Sequence, residues 1–128
     1  MPKKTLQIIE SAYRGTLEEQ DDTVVWITHA MKGAGGVFDV LLRGNAVNYA
    51  VKAQDASGLA FGAKRQTQPP RLAEDVAKFA DKGVTVLAVA EDIAERGLER
   101  GDLIATVKPV SRSELAALFE AYDLIWHW

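Results

Sequence analysis

The sequence predicts a single-domain α/β protein: a three-layer α/β/α sandwich on a mainly parallel sheet of about five strands. Three observations carry this. Short apolar runs alternate with helix-length stretches along the chain, the pattern of strands joined by helical crossovers. Residues 84–89, Val-Thr-Val-Leu-Ala-Val, hold no charge and read as a strand buried on both faces. Glu91 and Asp92 then stand where a helix would begin and Gly97 where it could stop. The turn between them therefore belongs to the carboxyl edge of the sheet, where open α/β folds keep their ligand sites.

In chain order, residues 4–10 form the first strand, with Leu6, Ile8 and Ile9 as its apolar content. Residues 11–15 make a polar loop containing Tyr13 and Arg14. Residues 16–36 carry two signals. Residues 23–28 have strand composition, but Glu18, Glu19, Asp21 and Asp22 precede them as in a first helical turn. Val24, Ile27, Met31 and Ala34 also recur at helical spacing, and a parallel neighbour to the first strand needs a crossover. A helix is the preferred reading, closed by Gly33, Gly35 and Gly36.

Residues 37–43 are the second strand, turned by Gly44-Asn45, and residues 46–52 suit a short helix. The segment 54–70 is polar, and 66–70 (Gln-Thr-Gln-Pro-Pro) is the clearest loop. Residues 71–82 form a helix with Leu72, Val76, Phe79 and Ala80 on one face, ended by Gly83. After the central strand and its helix, residues 106–110 make a weak strand. Its Pro109 places it at an edge or strand end. Ser111 and Glu114 have the spacing of a capping box at the start of the last helix, whose buried stripe is Leu115, Leu118 and Phe119. Residues 122–128 are the closing strand.

Composition excludes several functions. One domain of 128 residues is enough to bury roughly two-thirds of its unfolded surface. A net charge of -3, with 15 basic and 18 acidic residues interspersed, offers no electrostatic case for nucleic acid or anionic lipid. The apolar run after Lys3-Lys4 is too short for a leader peptide. Nothing approaches the ~20 apolar residues of a membrane span, and mean hydropathy is -0.07. The absence of cysteine excludes disulfides, thiolate catalysis and cysteine-ligated metal in this chain and fits a cytoplasmic protein. There is no GxGxxG, GxxxxGK[ST] or GxSxG sequence, and no cofactor is expected.

Three patches together are similar to one family. Residues 84–97, ending Ala-Glu-Arg-Gly, resemble the corresponding stretch of the DsrE/DsrF/DsrH-like proteins, which include the Tus sulfur-relay subunits. Residues 42–48 (Leu-Arg-Gly-Asn-Ala-Val-Asn) resemble that family's second strand and turn. Residues 123–128 (Asp-Leu-Ile-Trp-His-Trp) look like its closing strand. The resemblance implies a five-stranded α/β/α fold assembled into small rings: a homo-oligomer, trimer or hexamer, open to protein partners. Sulfur-carrying members use a cysteine persulfide at the end of the third strand. Aligned on Arg96-Gly97, that position falls at or beside Val89. Valine cannot hold a persulfide, so the chain resembles the non-catalytic branch, an accessory or scaffold subunit in sulfur metabolism.

The alternative is a small-molecule binder or unrecognised enzyme with its pocket at the strand carboxyl ends. Tyr13, Arg14, Arg43, Asn45, Asn48, Tyr49 and Glu91 are its candidate ligand-binding residues. The plainer readings are turn chemistry for Asn45 and Asn48 and helix-dipole complementation for Glu91 and Asp92. Lys64-Arg65 and the loop after them could form a lid or simply be solvated. Trp126, His127 and Trp128 are candidate interface anchors, with core packing the equal alternative. No catalytic residue is assigned. His29 and His127, the two histidines, do not make a metal site without carboxylates placed beside them.

Overall fold

A computed structural model describes residues 2–12 and 22–128. Five strands form one parallel sheet: β1 (Lys4–Ile9), β2 (Val37–Leu42), β5 (Val86–Val89), β6 (Lys108–Val110) and β7 (Leu124–His127), in the order β6-β5-β2-β1-β7. The helices are α1 (Thr23–Gly33), α2 (Leu72–Asp81), α3 (Ala90–Glu95) and α4 (Leu115–Glu120). The expected α/β class and strand number are those observed. A two-residue-per-strand hairpin, β3 (Ala60–Phe61) and β4 (Lys64–Arg65), stands apart from the sheet. It occupies part of the segment expected to be loop throughout, and it contains Lys64 and Arg65.

The two faces of the sheet follow from its register. Leu6 and Ile8 pair with Asp39 and Leu41, so these four side chains leave the sheet on one side. Leu6, Ile8 and Leu41 make with Val89 a small core against Leu115, Leu118 and Phe119 of α4. Ile9, Val40, Leu42, Val86 and Ala88 point the other way. They join the larger core with Val24 and Val25 of α1 and Leu72, Val76 and Phe79 of α2. Among the described residues, one face thus carries α1 and α2 and the other the six-residue α4.

Residues 23–28 are helical, as preferred. Asp22 is the N-cap, its Oδ1 accepting from the Val24 and Val25 N–H groups at 3.0 and 3.1 Å. The buried face of α1 is Val24, Val25 and Thr28, whereas Ile27, Met31 and Ala34 are wholly or partly exposed. Thr28 turns inward because it accepts from fully buried Gln7 at 3.0 Å and donates to the Val24 carbonyl at 2.7 Å. Trp128 closes this chain by donating from its indole Nε1 to Gln7 Oε1 at 2.6 Å. Strand, helix and C-terminal residue are tied through one buried amide.

Two other expectations are corrected. The stretch expected as a short helix is a 3₁₀ segment, Gly44–Ala50. Ser111 and Glu114 form no capping box: the Ser111 side chain makes no cap bond and instead donates to Glu91 at 3.3 Å. The strand containing Pro109 lies at an edge of the sheet, where a residue without an N–H costs no ladder bond.

Candidate functional site

Because the sheet is parallel, all five strand carboxyl ends meet at one edge. The Gly44 turn, the start of α3, and the turn from β6 into Arg112–Glu114 converge there around Asp92. Gly44 takes φ 56, and a Cβ there would sit 3.3 Å from Glu10 Cγ. Glycine lets the chain turn sharply enough for its N–H to reach Asp92 Oδ2 at 2.8 Å. The other oxygen, Oδ1, accepts from Arg112 Nη2 at 2.7 Å. Burial opposes ionisation of Asp92, but the Gly44 N–H and the Arg112 guanidinium outweigh it and hold the carboxyl below its ordinary range.

Glu91, one residue earlier, accepts from the Arg112 backbone N–H at 2.8 Å and from Ser111. The Arg112 N–H, first among these contacts, also holds Glu91 below its ordinary range. Adjacent helical residues do not share a face, yet both carboxylates meet one residue, Arg112, by its backbone and its side chain. Arg96 spans to the second-strand turn, donating from Nε and Nη2 to Asn45 Oδ1 at 3.2 and 2.8 Å. Asn48 donates to the Asn45 carbonyl at 2.9 Å, the local turn bond. Nearer β7, Glu10 Oε1 lies 3.0 Å from Arg43 Nε and 3.6 Å from His127 Nε2.

The structure therefore brings Arg43, Asn45, Asn48 and Glu91 to one edge, each bonded to other groups of the protein. Tyr49 is elsewhere: it is fully buried and donates to Asp22 Oδ2 at 2.6 Å. A tyrosine in a polar, turn-rich stretch gives no sequence sign of such burial. Tyr13 and Arg14 lie outside the described residues. Val89, the position aligned with the family's cysteine, closes β5 and is 1% exposed, packed in the smaller core.

Sequence reasoning missed Arg112 and Arg96, and with them the reason Asp92 can be buried. No spacing rule relates residues 92 and 112 before the fold places β6 beside β5. It also missed a polar surface cleft of about 340 Å³ beside α2, lined by Thr67, Gln68, Pro69, Arg71, Glu74, Asp75 and Lys78. His29 lies across α2, stacked on Phe79 with ring centroids 3.9 Å apart. Its Nε2 meets the Asp75 carbonyl and its Nδ1 meets Lys82 Nζ, both at 2.8 Å. Because a carbonyl can only accept, Nε2 carries the proton and Nδ1 accepts. Burial then keeps the ring's pKa below the ordinary value. This histidine fastens α1 to α2. Among the described residues no group of three or more His, Asp or Glu side chains could hold a metal ion, and no helix is long and apolar enough to cross a membrane.

β7 lies at the sheet edge opposite β6 with its side chains partly open to solvent: Trp126 is 37% exposed, and Trp128, just beyond the strand, 46%. Leu124 and Ile125 are similarly open. The Trp126 ring leans on Phe38, centroids 5.7 Å apart, and Trp128 anchors to Gln7. Each thus combines a contact within the fold with an open apolar surface.

No sequence-family profile matches the chain, and no curated protein matches it. Solved structures do. The YchN protein from E. coli matches at a TM-score of 0.73 and 16% identity, over 100% of each chain. MTH1491 from Methanobacterium thermoautotrophicum, a protein of unknown function, matches at a TM-score of 0.62 and 15% identity, over 98% of each. At such identities the likeness is one of fold, and the fold is DsrE-like, the five-stranded α/β/α arrangement that the sequence resemblance implies.

Proposed function

We propose that this chain is a non-catalytic oligomeric subunit, working through protein–protein contacts as an accessory or scaffold in sulfur metabolism. The observation that carries this reading is the state of the carboxyl edge. Where the resemblance implies a persulfide cysteine, the chain has buried Val89 and no cysteine anywhere. Around it, Asn45, Glu91, Asp92, Arg96 and Arg112 bond to one another. A ligand that used these groups would have to displace those bonds, each of which would need replacement. Exposed apolar side chains lie along β7, and others at Trp26, Leu59 and Phe61, which suits contact with another protein chain.

Native mass spectrometry of the protein purified gently from its own cells tests this. The expected result is a trimer or hexamer without added mass, alone or with a cysteine-bearing partner. A monomer, or a reproducible mass increment per subunit, would overturn it. The increment would favour the binding reading instead.

A further inference from the structure

The hairpin formed by β3 and β4 is a segment whose existence needs explaining. Its strands pair only with each other, two residues against two. All nine residues from Ser57 to Arg65 are exposed. They include Leu59 at 58% and Phe61 at 65% exposure. Its geometry is well made. Gly62 opens the two-residue connection at φ 59, as a tight hairpin turn requires, and the Gln66 N–H donates to the Leu59 carbonyl at 2.8 Å. An isolated two-stranded hairpin is marginal in water even when much longer. One that also presents a phenylalanine and a leucine to solvent is built to be covered.

The two edges of the main sheet differ in a matching way. β6 is three residues long and contains Pro109, so that edge is blunted against pairing. β7 is longer, lacks proline and carries the exposed side chains of Leu124, Ile125 and Trp126. Charge complements shape. Residues 56–66 contain Lys64 and Arg65 and no acidic residue, whereas Glu120 and Asp123 lead into β7.

We propose that the hairpin of one copy docks on the β7 edge of a second copy. This rests on the oligomeric reading above and adds to it which surfaces meet. Hairpin and edge are different surfaces, so the contact is heterologous, and its repetition around an axis closes a ring. Phe61 and Leu59 would cover apolar area along β7 while Lys64 and Arg65 approach Glu120 and Asp123.

Because the chain has no cysteine, single introduced cysteines report one contact each. Phe61→Cys and Ile125→Cys, carried on differently tagged copies, would be co-expressed and treated with a mild oxidant. Both sites are exposed, and circular dichroism and urea midpoints would confirm folding. The expected product is a disulfide between the two different copies, with little bond formation when either variant is oxidised alone. Phe61→Glu should also shift the native mass from oligomer to monomer. Only hairpin–hairpin or edge–edge bonds, or none in a protein that is nonetheless an oligomer, would overturn this docking and leave the oligomeric reading standing. A wild-type monomer would overturn both.

Discussion

Asp92→Ala is the substitution through which the carboxyl edge is best tested. Wild-type Asp92 is 8% exposed and joins two separate turns, through Gly44 at 2.8 Å and Arg112 at 2.7 Å. A hydrogen bond to a charged group contributes about 1.5–3 kcal/mol, and the Gly44 bond is of that kind. The Arg112 side chain is half exposed, so its ion pair is discounted to about 1 kcal/mol. Removing the carboxylate also removes its desolvation cost, which offsets part of the sum. The expected loss is about 2–3 kcal/mol, equivalent to about 10 °C in Tm for a domain of this size.

Urea unfolding followed by tryptophan fluorescence measures that loss, and its pH dependence identifies the cause. The folded pKa of Asp92 is lowered from 3.8. Its contribution is therefore complete above the unfolded value and is lost as pH falls through the folded one. The gap between wild type and Asp92→Ala should hold steady from about pH 8 to about pH 5 and close in stronger acid. Asp92→Asn, which keeps an acceptor for Gly44, should lose less than Asp92→Ala. A difference below about 0.5 kcal/mol at neutral pH, the scatter of an ordinary surface substitution, would refute the reasoning. So would a gap that persists unchanged into acid.

Three further outcomes follow from the same structure. The depressed pKa of His29 stabilises the fold above about 6.5 and is lost as pH falls below that through the folded value. His29→Phe should retain the stacking on Phe79 but abolish this slope, read as urea midpoints between about pH 8 and about pH 5. Gly44→Ala forces a side chain into φ 56 beside Glu10 and should cost about 1–2 kcal/mol in equilibrium unfolding. Val89→Cys should fold within about 1.5 kcal/mol of wild type, yet its thiol should alkylate at least tenfold more slowly than free cysteine, since position 89 is enclosed by Leu6, Ile8 and Leu41. Iodoacetamide labelling followed by mass measurement would show it.

What could be read in the sequence was whatever short range decides. The uncharged run 84–89 and the edge position of Pro109 each follow from local pattern, and each is found; of the stripe Leu72, Val76, Phe79 and Ala80, the first three are buried and Ala80 is exposed. Residues 23–28 show the limit. They are helical as preferred, with Asp22 capping the helix rather than lying in its first turn, but the inward face depends on Gln7, a buried polar residue in β1, which recruits Thr28 over Ile27. Ser111 and Glu114 have capping-box spacing, but Glu91 arrives by tertiary packing and takes the serine. Arg43, Asn45, Asn48 and Glu91 do reach one edge, as the topology of a parallel sheet demands. That Asn45 and Glu91 are bonded within the protein depends on Arg96 and Arg112, whose positions only the fold reveals.

The contrast between the two rims of this sheet is also energetic. At the carboxyl edge, charged groups sit in well-directed bonds, an arrangement that stabilises the turns. At β7 the balance is reversed. Leu124, Ile125, Trp126 and Trp128 keep much of their surface in water, and each 100 Å² of apolar area covered by a neighbour gains about 2.5 kcal/mol before the costs of association. Burying a few such side chains together with Leu59 and Phe61 of a hairpin is ample to offset ordering nine exposed residues only if their backbone is already preset. Gly62 at φ 59 and the Gln66–Leu59 bond supply that presetting. Gly62→Val should therefore loosen assembly more than it alters the fold of the subunit, as a rise in the dissociation constant at nearly constant monomer stability. Analytical ultracentrifugation across a concentration series, set beside urea midpoints, measures both. Unchanged assembly with a distorted hairpin would mean that the hairpin takes no part in holding copies together.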